Sequence, residues 1–174
     1  TEPSFALTPD MLVVNRGLTN TSHFVVNNIS HADGISTNIT YNQTAVTIQS
    51  ISLNSVGGTG LTLSSSYNNS AGTAKIGVSC SDKSYTSDTE IVDIVWKGAS
   101  TITNETAPVH FVANTSYSFV KSNANYTADK YVDAKHFTNQ TIVLSNETLT
   151  KHVIFKNAYT KNLISGIQVR LSWT

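Results

Sequence analysis

Residues 3–14, PSFALTPDMLVV, carry an apolar side chain at every odd position: Pro3, Phe5, Leu7, Pro9, Met11 and Val13. The even positions open with Ser4, Ala6, Thr8 and Asp10 before Leu12 and Val14 blur the pattern. A period of two specifies an extended strand that buries one side and shows the other to water. At about 3.3 Å per residue the stretch would run roughly 36 Å, about twice an ordinary strand. Pro3 and Pro9 have no N–H to give a ladder, which argues against a regular central strand. Such a strand can pair within its own domain, or it can add to a neighbour's sheet.

The same period returns along the chain. Segments 22–27, 35–41, 46–53, 61–65, 74–80, 91–96, 109–112, 117–120, 142–144, 153–155 and 163–173 predict short strands between Gly, Asn and Ser turns. Residues 31–34 (HADG) predict a turn and residues 82–88 a polar loop. Within 46–53 the apolar phase slips near Ser50, as a β-bulge requires. The run IVDIVW at 91–96 predicts either a central strand covered on both faces or an edge that meets a partner, with Asp93 in need of a partner of its own. One helical turn fits, at 128–134. About ten short strands with almost no helix predict an antiparallel β-sandwich. The only break is a hinge at 15–17, dividing a tail, residues 1–15, from a head, residues 16–174.

Charge narrows the function. Charged residues make up 13% and the formal net charge is zero, with no basic run to meet nucleic acid or an anionic membrane. No window approaches the length of a membrane span. The single cysteine, Cys80, excludes an internal disulfide and ends the alternation Ala74, Ile76, Val78, which predicts a small buried hydrophobe. His23, His31, His110, His136 and His152 are scattered without metal-ligand spacing. The pairs Asp129/Asp133 and Asp82/Asp88 lack a ligand-dense calcium loop. No nucleophile elbow, phosphate loop or dinucleotide fingerprint occurs. The expectation is no enzyme, no catalytic residue, no metal and no cofactor.

Asn-x-Ser/Thr triplets are the other distinctive feature. Serine and threonine fill 46 of 174 positions, so 17 asparagines placed at random would begin about four or five triplets; ten occur. They begin at Asn20, Asn28, Asn38, Asn42, Asn68, Asn104, Asn114, Asn125, Asn139 and Asn146. Covalent N-linked glycans are therefore expected, on a secreted chain. Asn38, Asn42 and Asn114 lie opposite the apolar stripe of their strands, as exposed acceptors should. Few carboxylates and many hydroxyls and amides also suit an acidic exterior, because little stability then rests on ionised acids.

A sandwich without disulfides, an apolar amino-terminal stretch, dense sequons and low charge together resemble the subunits of archaeal (crenarchaeal) threads, which are glycosylated surface filaments. That resemblance implies an immunoglobulin-like, pilin-like head lacking one strand, filled by the amino-terminal donor strand of the next subunit. Phe5, Leu7, Met11 and Val13 would then be the groove-filling residues. The implied partners are copies of the chain in a linear homopolymer, an extracellular filament on the cell surface serving adhesion or biofilm formation. The alternative is a surface-layer or adhesin sandwich that keeps this strand in its own fold and binds glycans or a receptor through aromatics such as Trp96, Tyr126 or Tyr131.

Overall fold

The computed structural model describes residues 2–101, 105–112, 118–126 and 128–145. In chain order the strands are β1 (Ser4–Thr8), β2 (Met11–Asn15), β3 (Thr19–Asn27), β4 (Ile29–Tyr41), β5 (Val46–Leu53), β6 (Thr62–Asn68) and β7 (Thr73–Tyr85). They continue as β8 (Thr89–Gly98), β9 (Thr106–Phe111), β10 (Phe119–Ser122), β11 (Lys130–Tyr131), β12 (Phe137–Thr138) and β13 (Gln140–Ser145). A five-stranded sheet has the order β12-β1-β3-β8-β5. The second, eight-stranded sheet runs β11-β10-β4-β9-β13-β2, with β7 paired to β4 and β6 to β7. The all-β sandwich expected from the alternation is present, with two parallel pairs, β1–β12 and β2–β13, among the antiparallel ones.

The amino-terminal stretch is not one strand but two. The chain bends at the cis Thr8–Pro9 peptide and Asp10, and crosses from the first sheet to the second. Two bend residues between the strands move the buried phase from odd to even positions. Phe5 and Leu7 are buried in β1, Leu12 and Val14 in β2, while Met11 and Val13 are 66% and 52% exposed. β1 pairs along its whole length with β3 and, at Phe5 and Ala6, with β12 on the other side, all within its own chain. β2 pairs along its length with β13, and the Val13 carbonyl beside it accepts the Asn20 side-chain N–H at 2.8 Å. This corrects the donor-strand expectation, because the proposed groove-filling residues either fill the chain's own core or face away from it.

The core forms where the inner faces of the two sheets meet. β4 buries Ile35, Thr37, Ile39 and Tyr41, and β7 buries Ala74, Ile76 and Val78, each at a period of two. Ile91, Val92, Ile94 and Trp96 are all buried in β8, which lies between β3 and β5, the central of the two placements its apolar run allows, while Asp93 and Val95 are half-buried. Trp96 is fully buried, its Nε1–H donating to Ser22 Oγ at 2.7 Å and its ring edge-on to Tyr41 at 5.1 Å. It is therefore a core residue and not an exposed binding aromatic.

Other expectations divide. The bulge near Ser50 is present as a register shift between Ile48 and Ser50. Residues 31–34 are not a turn but an irregular part of β4, with register shifts against β7 between Ile29 and Gly34. β7 continues to Tyr85 through much of the expected loop. The expected helical turn at 128–134 is instead β11, and a single turn of 3-10 helix begins only at Ala134. Cys80 is half-buried against the core, its thiol donating to the Ala32 carbonyl at 3.2 Å, and burial pushes its pKa up. The strands expected at 153–155 and 163–173 lie outside the described residues.

Candidate binding face

The outer face of the eight-stranded sheet is broad and composed mainly of small residues. Strand register places Tyr131, Phe119, Ser36, Gly77 and Ser64 in one row across β11, β10, β4, β7 and β6. The next row is Lys121, Gly34, Ser79 and Thr62, and on the other side lie Asn38, Lys75 and Ser66. Alternate residues on these strands (Ile35, Thr37, Ile76, Val78 and Val120) point into the core, so these rows face outward. Gly77 lets the backbone of β6 approach closely, since a Cβ there would stand 3.2 Å from the Ser64 carbonyl oxygen. Rows of small residues with two lysines, Lys121 and Lys75, offer a protein partner a plane of contact.

Aromatic residues gather at one end of this sheet. Tyr131 is 59% exposed, with its ring 6.2 Å from Phe119. Tyr126 is 60% exposed and lies parallel to the His31 imidazole, ring centroids 3.8 Å apart. The loop that carries Tyr126 is fixed by Asn123 N–H donating to the His31 carbonyl at 2.6 Å and Tyr126 N–H donating to the Asn123 carbonyl at 3.0 Å. His31 Nδ1 meets Asp82 Oδ1 at 2.6 Å across β4 and β7. Both residues adopt left-handed backbone, φ 52° and 51°, which non-glycine residues seldom take and which clusters where local geometry matters. Exposed tyrosines on a rigid frame are typical interface anchors.

A second polar cluster lies on the other sheet. His23 Nδ1 stands 2.7 Å from Asp93 Oδ1, and Asn54 Nδ2–H donates to Asp93 at 2.8 Å and to Glu90 at 3.3 Å. This answers the question of Asp93's partner: the group ties β3, β8 and the end of β5 together. Among the described residues no cluster of three His, Cys, Asp or Glu has the geometry to hold a metal ion. Register places the exposed Met11 beside Thr141 and then Pro108, and the exposed Val13 beside Val143 and then Thr106.

Seven sequon asparagines fall among the described residues. Asn20, Asn68, Asn125 and Asn139 are exposed, while Asn28, Asn38 and Asn42 are half-buried. Asn104, Asn114 and Asn146 lie outside the described residues. Sequence reasoning named Tyr126 and Tyr131 but not Phe119, Ser36 and Gly77, because register across three strands brings these together and no local motif marks it.

No protein-family profile and no curated protein matches the chain. Solved structures do match, cohesin domains among them. The third ScaC cohesin of Acetivibrio cellulolyticus, solved with the ScaB dockerin, has a TM-score of 0.62 at 15% identity, covering 82% of this chain and 99% of that one. The OlpA cohesin of Clostridium thermocellum, solved with a dockerin, gives 0.64 at 6% identity, over 83% and 100%. A non-cellulosomal cohesin from the hyperthermophilic archaeon Archaeoglobus fulgidus gives 0.61 at 9%, over 83% and 92%. These findings overturn the resemblance to archaeal thread pilins and, with it, the self-assembling filament and the homopolymeric partner. At such low identity they establish the fold: a sandwich similar to that of the cohesin domains.

Proposed function

We propose that the chain is a non-catalytic recognition module, displayed outside the cell, that holds a protein partner on the outer face of its eight-stranded sheet. The observation that carries this is the extent of the likeness: the sandwich spans 99% and 100% of two cohesin domains that were solved with bound dockerins. The small-residue rows and the Phe119–Tyr131 end give a partner both a plane and an anchor. The likeness favours the alternative set out from sequence, a surface-layer or adhesin sandwich that binds glycans or a receptor, over the filament. Trp96 drops out of its binding set while Tyr126 and Tyr131 stay.

The test is capture of a partner on the immobilised full chain, followed by affinity measurement with that purified partner. Ser36→Arg, in the middle of the face, should weaken binding by about 30-fold, the size of a hot-spot loss near 2 kcal/mol. Ser50→Arg, on the opposite sheet, should leave binding unchanged, and both variants should melt like the parent. Loss with Ser50→Arg alone would move the site to the other sheet. A chain that binds only sugars on a glycan array would replace the protein partner with a carbohydrate.

A further inference from the structure

The sequons differ in one geometric respect. A turned backbone brings the Ser or Thr of the motif back to its asparagine amide, which an extended strand does not. In an extended strand, residues two apart stand roughly 6.6 Å apart along the chain. At Asn42 the loop is turned: Thr44 N–H and Thr44 Oγ1–H both donate to Asn42 Oδ1, at 3.0 and 2.7 Å. At Asn68 the Ser70 N–H donates to Asn68 Oδ1 at 2.9 Å. Asn20 and Asn38 are the reverse. Asn20 Nδ2 is engaged by the Val13 carbonyl, and its sequon hydroxyl, on Ser22, is buried beneath Trp96. Asn38 lies mid-ladder in β4 between β7 and β9, with its Oδ1 buried.

We propose that the folded domain accepts N-linked glycan at Asn42 and Asn68 and refuses it at Asn20 and Asn38. The co-reactant is a lipid-linked oligosaccharide phosphate. Asn Nδ2 bonds to the anomeric carbon as the anomeric C–O bond to phosphate breaks; the phosphate oxygen keeps the electron pair and the amide proton passes to a base on the transferase. The two acceptors are neighbours in space. Tyr41 N–H donates to the Gly72 carbonyl at 2.8 Å, and Asn69 clamps Ile48 through both its amide atoms. Both turns thus lie at the pole where β4 ends. Ser36, in the Phe119–Tyr131 row, is six residues back along β4, about 20 Å away, and His31 lies further back along the same strand. Glycans at this pole leave the aromatic end open, a consequence that rests on the binding face proposed above.

The test uses the folded full chain made in a host without the modification, a purified oligosaccharyltransferase and a lipid-linked oligosaccharide, with glycopeptide mapping by mass spectrometry. Of these four sequons, glycans are expected at Asn42 and Asn68 only. Thr44→Ala and Ser70→Ala should each remove one, and Thr44→Ser should keep its glycan. Asn20 and Asn38 should become occupied only when the chain is offered unfolded. Occupancy of Asn20 or Asn38 in the folded protein equal to that of Asn42 would overturn the proposal. So would bare Asn42 and Asn68 beside a modified control peptide. Partner binding by the unmodified chain is measured separately, so failure of one proposal is distinguishable from failure of the other.

Discussion

Replacing Phe5 with alanine distinguishes a strand that belongs to its own sandwich from one made for a neighbour. Phe5 is 1% exposed, and its ring meets Phe24 edge-on at 5.0 Å, Phe111 at 6.2 Å and Phe137 at 6.3 Å. Removing a buried phenylalanine costs about 3–5 kcal/mol through lost transfer energy and the cavity left behind. One aromatic pair accounts for about 0.5–1.5 kcal/mol of interaction beyond area. Domains of this kind are typically stable by only about 5–15 kcal/mol, so Phe5→Ala should remove a large share of the total. Met11→Ala is the matched control: at 66% exposed it should shift stability by no more than about 0.5 kcal/mol. Urea unfolding of the dilute monomer, followed by tryptophan fluorescence, reads both. If Phe5→Ala shows no cooperative transition, Phe5→Leu should still show a loss of about 1 kcal/mol from the missing ring pairs. Equal stability of Phe5→Ala, Met11→Ala and the parent chain would refute the reasoning, because a donor strand contributes nothing to an unassembled head.

Ser22→Ala leaves the buried Trp96 Nε1–H without its acceptor and should cost about 1–3 kcal/mol in the same assay. Gly72, at φ 66°, would drive a Cβ into the Tyr41 carbonyl oxygen, so Gly72→Ala should prevent a native-like melt. Gly60→Ala shares the left-handed backbone, φ 73°, but meets no atom within 4 Å and should cost only about 1–2 kcal/mol. Burial, with a smaller contribution from Tyr67, pushes Tyr41 up to about 12, and burial also raises Tyr85. The unfolded chain therefore loses these protons first. Stability is independent of them below pH 10 and falls from pH 10 towards 12, and Tyr41→Phe should flatten that fall in pH-dependent denaturant melts.

Where pattern and burial coincide locally, the sequence was legible. The strand at β8, the alternations of β4 and β7, and the bulge at Ser50 all follow from side chains within a few residues of one another. The amino terminus misled because its alternation is continuous in sequence and not in space. The bend at Pro9 and Asp10 swaps the buried face, so Leu12 and Val14, which looked like noise, are the buried residues, and Met11 and Val13 are not. Residues 31–34 look like a turn for a related reason. Asp and Gly favour turns, but here β7 supplies enough pairing to hold an irregular strand. The candidate face was the least legible part. Phe119, Ser36 and Gly77 are distant in sequence and meet only through register. Likeness to cohesins at 6–15% identity leaves no motif for the eye to find.

Amide hydrogen exchange on the dilute full chain, with its size checked by light scattering, tests the central claim most directly. The self-contained sandwich predicts a monomer in which Phe5, Ala6 and Leu7 exchange as slowly as the β8 amides around Ile94, because β3 and β12 flank β1 within the same chain. Rapid exchange at these residues in the monomer, with protection appearing only as the chain polymerises, would contradict it.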